Sequence, residues 1–204
     1  MAHIPVFQNP FGFSMMPARV SISTPISIPV PAPLQFVGGF PFPLVAAIQP
    51  VIQQVGCVIL TKKNMKFDFV LAANAERNAF EMFGGAIHSG TDPRDCMNSL
   101  LQNIGLRVSS STPYHDMTNP ADGKLTRVYV LYVETISCKT LTHAVQRNRV
   151  ISRVFEHFTR FPVSNVIRSP RNLYDDKNVP RTTTMFTLDV LGKIVRDYHR
   201  YICN

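Results

Sequence analysis

Three stretches of the chain are apolar at most positions and predict β-strands. They cover residues 55–60, 67–72 and 127–133, and Val, Leu, Phe, Ile and Tyr dominate them. β-Branched and aromatic side chains favour extended backbone. We expect the first stretch to form a buried strand, the second to be its hairpin partner, and the third to be a central strand later in the chain.

The end of the chain repeats its apolar residues at the period of an α-helix. Lys193, Arg196 and Arg200 lie outside the apolar stripe, as expected for a helix with one buried face. The pattern predicts a terminal helix over residues 187–202 that closes the domain. The stripe consists of Leu188, Leu191, Val195, Tyr198 and Ile202.

A second helix is predicted over residues 91–103. Asp92 is a good N-cap, Pro93 suits the first helical turn, and Gly105 is a natural stop. Asp95, three residues after the cap, completes an arrangement like a capping box. The apolar stripe of this helix comprises Cys96, Leu100 and Leu101, with Asn103 or Ile104 one turn later.

Two further segments have less regular patterns. Residues 141–161 mix apolar and basic positions and predict a partly buried strand or helix. Residues 109–123 begin with a Ser-Ser-Ser-Thr-Pro run and end with Asp122-Gly123. Such residues are typical of turns, so we expect a turn-rich connection between the second helix and the strand over residues 127–133.

Residues 83–106 begin with Phe83-Gly84-Gly85 and end with Leu100-Leu101-Gln102-Asn103-Ile104-Gly105-Leu106, and this frame resembles a Nudix box. The Nudix consensus runs Gly, five residues, Glu, seven residues, Arg-Glu, an aliphatic residue, any residue, Glu-Glu, any residue, Gly and an aliphatic residue. Placing its end on Gly105 and Leu106 puts its first glycine at Gly84 without a gap, and its inner aliphatic position at Leu100. The chain therefore resembles the Nudix superfamily, over roughly residues 52–200. Its order of strands, box and strand is similar to that of the diphosphoinositol polyphosphate phosphohydrolase branch.

This resemblance implies an α/β (α+β) fold class. We expect a Nudix-like α/β/α sandwich with a mixed sheet over residues 51–204, and an extended Pro-rich N-terminal arm over residues 1–50. Within the sandwich, the box would supply a strand, a loop and a helix. The box positions are Gly84, Gly85, Gly90, Asn98, Ser99, Gln102, Asn103 and Gly105.

The box has lost its acids. Gly90 stands at the position of the first Glu, Asn98-Ser99 at the Arg-Glu pair, and Gln102-Asn103 at the Glu-Glu pair. In the family these carboxylates hold Mg²⁺ and orient water for attack on a diphosphate. Neutral amide oxygens are too weak to hold a hydrated divalent ion alone. We therefore predict a degenerate box without catalytic residues, metal or cofactor, with Mg²⁺ expected only if the chain is a divergent hydrolase.

His88 lies in the box loop, where active family members often place Glu. A lone loop histidine is most often an exposed polar residue. Its alternative role is that of a general base in place of a carboxylate, since histidine titrates near neutrality.

The first fifty residues form a separate region by composition. They hold ten of the sixteen prolines and a single Lys, Arg, Asp or Glu, namely Arg19. The prolines exclude a long helix and favour extended backbone. Pro-rich tails are commonly disordered linkers, but this one also carries six Phe residues and little charge. We expect this arm to pack on its own domain or, through residues 1–43, on a protein partner or a neighbouring subunit, with a solvated tail as the alternative.

Positive charge is concentrated in the C-terminal third. From Lys139 onwards there are twelve Lys or Arg against five Asp or Glu, in a chain of formal net charge +8. Arginine grips phosphates with two hydrogen bonds and stacks on bases, whereas scattered charges often serve only solubility. We expect RNA or another polyanion to bind this third, with Arg168 and Arg171 lying in a loop. The candidate residues are Arg147, Arg149, Arg153, Arg160, Arg168 and Arg171.

The cellular setting is inferred from cysteines and hydropathy. The four cysteines, Cys57, Cys96, Cys138 and Cys203, are scattered, and no pair has metal-ligand spacing. This usage favours a reducing compartment, cytoplasmic or nuclear. No stretch of 18 apolar residues lacks proline or charge, which predicts no transmembrane helix and no membrane partner.

Two classes of function fit these observations. The first is a catalytically inactive Nudix-like protein. Its arm would contact a protein partner or a neighbouring subunit, and its basic third would bind RNA or another polyanion. Similar reuse of this fold occurs in RNA-processing factors, ribosome-associated proteins and viral proteins that resemble Nudix enzymes. The second is a divergent hydrolase that cleaves a nucleoside diphosphate derivative, an inositol pyrophosphate or an RNA cap. The loss of the metal-binding acids favours the first class.

Overall fold

The structure is a computed structural model that describes residues 51–169 and 171–202, with only the backbone described at positions 200–202. The predicted arm, residues 1–50, and Cys203 lie outside the described residues. The strands are β1 Gln54–Lys63, β2 Lys66–Asn74, β3 Ala79–Glu81, β4 Phe83–Ala86, β5 Tyr114–Thr118, β6 Leu125–Val133, β7 Phe155–Pro162, β8 Leu173–Tyr174 and β9 Pro180–Arg181. The helices are α1 Pro93–Gln102, α2 Cys138–Arg147, α3 Val163–Arg168 and α4 Met185–Ile202, with a 3₁₀ turn at Ile151–Arg153.

The three predicted strands are confirmed as β1, β2 and β6. β1 and β2 form an antiparallel hairpin, and β1 lies parallel to β6 from the Gln54–Thr126 pair to the Thr61–Val133 pair. The sheet is therefore mixed. Its order is β3-β2-β1-β6-β5, with β4 also paired to β1 and β7 also paired to β2, while β8 and β9 form a separate ribbon.

Helices cover both faces of this sheet, which explains why the central strands are apolar throughout. Side chains alternate between the faces of a strand, and in β1 Cys57 and Ile59 join one core cluster while Val58 and Leu60 join the other. The first cluster contains residues of α1 and α2, and the second contains residues of α3 and α4. The arrangement confirms the predicted α/β/α class.

The terminal helix is confirmed as α4, although its buried face is broader than the predicted stripe. Leu188 and Leu191 are buried as expected, and Val190 and Ile194 are buried as well. Val195 and Tyr198 pack at the border of the same core. No helix in the part of the chain that the structure describes is long and apolar enough to span a membrane.

Two sequence-based expectations about irregular segments are corrected. The connection over residues 109–123 contains strand β5, which pairs antiparallel with β6 at the edge of the sheet. This strand has an alternating half-buried pattern, since His115 and Met117 are partly covered whereas Tyr114 is exposed. Residues 141–161 are neither one strand nor one helix: they hold most of α2, the 3₁₀ turn and most of β7.

The box is joined to the sheet by an unusually close approach between two backbones. Gly84 of β4 pairs with Gly56 of β1. A Cβ atom at Gly84 would lie 2.1 Å from the carbonyl oxygen of Val55 and 2.8 Å from the Cα of Gly56. Only glycine fits there, so the first glycine of the box has a packing role that is independent of any catalytic one.

Candidate functional site

The box loop leads directly into α1, whose start is fixed by local hydrogen bonds. The Asp92 side chain accepts hydrogen bonds from the backbone N–H groups of Arg94, at 2.8 Å, and Asp95, at 3.3 Å. Pro93 occupies the first turn, as predicted. Gly90 and Gly105, at the two ends of this unit, have φ angles of +82° and +73°, a region that favours glycine.

The inner face of α1 differs in detail from the predicted stripe. Met97 and Leu101 are fully buried, and Ile104 follows them into the same core. Cys96 and Leu100 are only partly buried. The helix also begins two residues later and ends one residue earlier than the predicted range of 91–103.

Three box positions that would carry charge in the family are used here for hydrogen bonds within the protein. The Asn98 side-chain oxygen accepts from the backbone N–H of Val108 at 2.8 Å and so holds the turn after α1. The Ser99 hydroxyl donates to the Asp95 carbonyl at 2.9 Å. The Asn103 side-chain nitrogen donates to the Ser99 carbonyl at 2.8 Å. Gln102 is exposed on the outer surface of the helix.

Acidic and metal-ligating groups are sparse around this helix. Among the described residues, no group of three or more His, Cys, Asp or Glu side chains could hold a metal ion. His88 is exposed in the box loop, and Asp92 is engaged as the helix cap. The box region therefore offers the chemistry of amides and hydroxyls, which bind through hydrogen bonds, in place of that of clustered carboxylates.

A basic loop lies against the end of this helix. We define the basic loop as residues 147–153, which run from the last residue of α2 through the 3₁₀ turn. Its Asn148 side-chain nitrogen donates to the side-chain oxygen of Asn103 at 2.7 Å, across 45 positions of sequence. Arg147, Arg149 and Arg153 are all exposed around this contact. The structure thus brings three of the predicted polyanion-binding residues beside the end of the box helix.

The apolar anchor and the charge balance of the loop suit a binding surface. Ile151 is buried in the core, whereas Val150 is 76% exposed between the arginines. No Asp or Glu occurs between Lys139 and Val154, and Glu156 is the next acid along the chain. Exposed arginines without nearby acids in the same segment keep their guanidinium groups available to phosphates.

The other three predicted arginines do not join this surface through any contact. Arg160 is half-buried on β7, where it donates a hydrogen bond to the Ile136 carbonyl, and its Nε atom is buried without a partner among the described residues. Arg168 is the last residue of α3, so the prediction that it lies in a loop is wrong. Arg171 is exposed in the turn that follows.

Arg160 lines a cleft of about 520 Å³ between β7, the start of α2 and residues 175–181, which the sequence did not reveal. Burial raises the pKa of the Cys138 thiol and also that of Asp68, although Arg160 opposes both shifts. A thiol with a raised pKa is a poor nucleophile at neutral pH. Asp175 and Arg181 are joined by an ion pair of 2.9 Å. Two of the charged groups that line the cleft, Asp175 and Arg181, are thus committed to each other.

The three cysteines in the described part of the chain are free thiols, in line with their scattered spacing. Cys57 is completely buried in β1, and burial raises its pKa to about 12. It therefore behaves as a small core residue.

A mixed sheet lies between two helical layers, and the box loop and helix follow a strand that pairs with β1. This is the architecture that the box frame implied. The fold is Nudix-like. No family model matches the sequence, and no curated protein matches it either.

Solved structures with a similar arrangement are Nudix proteins of low sequence identity. The Nudix domain of NrtR from Shewanella oneidensis, solved with ADP ribose, is 11% identical over 74% of this chain and 90% of its own, with a TM-score of 0.47. A C. elegans Ap4A hydrolase binary complex is 11% identical over 74% and 98%, with a TM-score of 0.49. A MutT/Nudix family protein from Listeria innocua is 13% identical over 74% and 96%, with a TM-score of 0.46. These likenesses concern the fold alone, and no functional argument rests on them.

Proposed function

We propose that this protein is a non-catalytic Nudix-like protein that binds RNA through the basic loop beside its degenerate box. One observation carries the proposal. The Asn103–Asn148 hydrogen bond, at 2.7 Å, places Arg147, Arg149 and Arg153 next to the helix end from which the family's paired carboxylates are missing.

The chemistry of the loop favours phosphates as its ligands. A guanidinium group offers a fixed fork of donors that matches two phosphate oxygens. Arg147 also lies in the last turn of α2, where a positive side chain compensates the helix dipole. That structural role accounts for Arg147 alone, because Arg149 and Arg153 are exposed beyond the helix.

Several features support binding over hydrolysis. Diphosphate hydrolysis in this fold needs carboxylates that hold Mg²⁺, and here those positions are occupied by Gly90, Ser99, Gln102 and Asn103. The side-chain nitrogen of Asn103 already donates to the Ser99 carbonyl, and its side-chain oxygen already accepts from Asn148. A bound phosphate backbone beside this helix would meet the arginines of the basic loop, without carboxylates at these four positions.

RNA binding is tested by fluorescence anisotropy of a labelled single-stranded RNA across a range of salt concentrations. We expect the logarithm of the affinity to fall linearly with the logarithm of the salt concentration, with a slope of about 0.7 per phosphate contacted. Absence of affinity even at low salt would contradict the proposal. Incubation of the protein with Mg²⁺ and nucleoside diphosphate derivatives, inositol pyrophosphate and capped RNA tests the alternative, and metal-dependent turnover of any of them would establish a hydrolase instead.

We also propose that residues 1–43 mediate self-association or contact a protein partner. The support is their composition, which combines six Phe residues with almost no charge. Deletion of residues 1–43 should leave the Nudix-like domain folded, as judged by circular dichroism, but should lower the number of subunits measured by light scattering or abolish partner binding. A full-length variant with Phe36, Phe40 and Phe42 changed to Ser removes three of the six Phe residues without shortening the chain. It separates the effect of the aromatic side chains from the effect of chain length. The same number of subunits and equal partner binding for the deleted and intact proteins would refute this role.

A further inference from the structure

The basic loop is organised around one residue, Asn148. Its backbone N–H donates to the Val145 carbonyl at 2.9 Å, and its carbonyl accepts from the Ser152 N–H at 2.9 Å. Its side-chain oxygen accepts from the N–H groups of Val150, at 3.0 Å, and Ile151, at 3.2 Å. These bonds end α2 and start the 3₁₀ turn, so they fix the backbone on which the three arginines are carried.

The remaining polar group of Asn148 ties the loop to the box helix. Its side-chain nitrogen donates to the Asn103 side-chain oxygen at 2.7 Å. Asn103 is oriented for this contact because its own nitrogen donates to the carbonyls of Ser99, at 2.8 Å, and Leu100, at 3.2 Å. In each amide, hydrogen bonds to other groups fix which end carries the oxygen and which the nitrogen. Both orientations are the ones that the Asn148–Asn103 hydrogen bond needs.

We propose that Asn103 and Asn148 form a clamp that presents Arg147, Arg149 and Arg153 to RNA in a fixed arrangement. The inference rests on the proposed function and assigns these two asparagines as positioning residues. The loop enters the core only through Ile151, and the clamp supplies a second attachment. A loop ordered before binding loses less conformational freedom when its side chains engage phosphates.

The clamp also gives a physical reason for an amide at position 103. A carboxylate there would retain an acceptor for Asn148, but it would lose the donations to the Ser99 and Leu100 carbonyls and would place a negative charge beside the basic loop. That charge would compete with phosphates for the arginines. Asparagine keeps the hydrogen bond and leaves the arginines available, so the residue that replaces a metal-binding acid is suited to a phosphate-binding surface.

The test compares Asn103→Ala, Asn103→Asp and the neighbouring control Gln102→Ala in the full-length protein. Gln102, the last residue of α1, and Asn103, its C-cap, are both exposed. RNA affinity is measured by anisotropy at several salt concentrations. Hydrogen exchange of the backbone N–H groups of residues 148–153 is measured by NMR in the absence of RNA.

Asn103→Ala should weaken RNA binding about threefold to tenfold, the size expected for one lost hydrogen bond. The slope against salt should stay unchanged, because the number of arginines is the same. Asn103→Asp should weaken binding more than Asn103→Ala at low salt and approach Asn103→Ala at high salt, since the added charge is screened while the lost donations to Ser99 and Leu100 are not restored. Exchange within residues 148–153 should accelerate in Asn103→Ala and stay unchanged in Gln102→Ala.

Asn103→Ala with wild-type affinity would overturn the clamp while leaving RNA binding established. Equal loss of affinity in Gln102→Ala would also overturn it, because the effect would then belong to the whole helix surface. If the wild type itself has no affinity for RNA, the proposed function fails and the presenting role fails with it. The exchange measurement would in that case still report whether Asn103 holds the loop.

Discussion

Changing Gly84 to Ala should lower the free energy of unfolding by about 3 kcal/mol, at the upper end of overpacking effects. The added methyl group would lie 2.1 Å from the Val55 carbonyl oxygen and 2.8 Å from the Gly56 Cα. Both are backbone atoms of the central strand β1, so neither can rotate aside. The clash forces β4 away from β1 and detaches the start of the box from the sheet. Thermal unfolding should shift down by roughly 6–12 °C for a domain of this size.

Gly85→Ala is the matched control, because it adds the same atom one position later. Its Cβ would meet Leu100 Cδ1 at 3.6 Å, an ordinary contact. The free energy of unfolding should change by less than about 1 kcal/mol. If both variants unfold at the same temperature as the wild type, the close approach of β4 to β1 is wrong, and so is the structural role of the first box glycine.

Changing Arg147, Arg149 and Arg153 together to Gln should have the largest effect on RNA binding. Each arginine that neutralises a phosphate of single-stranded RNA contributes about 0.7 to the slope of log affinity against log salt. Loss of all three contacts should reduce that slope by about 2. The loss of affinity should therefore be greatest at low salt and should shrink as salt rises. Anisotropy measured at four or more salt concentrations gives both quantities.

The charge-matched control changes Lys63, Lys66 and Lys177 to Gln. These three lysines are exposed on other elements, and their removal lowers the net charge by the same amount. The control should retain most of the wild-type slope. Equal slopes for the two triple variants would show that RNA responds to net charge alone, without a preferred surface.

The main architecture was predictable because strands that are buried on both faces have runs of consecutive apolar residues. Strands β1 and β6 lie between two helical layers, so their sequences are apolar at consecutive positions. The start of α1 was predictable for a local reason, since Asp92, Pro93 and the following N–H groups lie within one turn. Strand β5 was missed because only one of its faces is covered. On its exposed face, Tyr114 and Asp116 both contact Arg127 of the neighbouring strand, through a cation–π interaction and an ion pair.

The contacts that define the candidate site depend on tertiary structure. Asn103 and Asn148 are ordinary helix-end residues in the sequence, and nothing local indicates that their side chains meet. Arg160 looks like the other basic residues of its segment, but its place on β7 half-buries it and turns it towards the Ile136 carbonyl. The sequence thus indicates that this region is rich in arginine. The fold determines that Arg147, Arg149 and Arg153 lie exposed in the basic loop beside Asn103.

The most direct test of the central claim is RNA affinity measured with excess EDTA and again with Mg²⁺ at matched ionic strength, with the RNA recovered and sized afterwards. A surface built from arginines and amides needs no bridging metal. We therefore expect the same affinity in EDTA as in Mg²⁺, apart from the weakening that divalent cations cause by competing for phosphates, and intact RNA in both. Tight binding that disappears in EDTA, or RNA that is decapped or cleaved only when Mg²⁺ is present, would contradict a non-catalytic binding surface at this box.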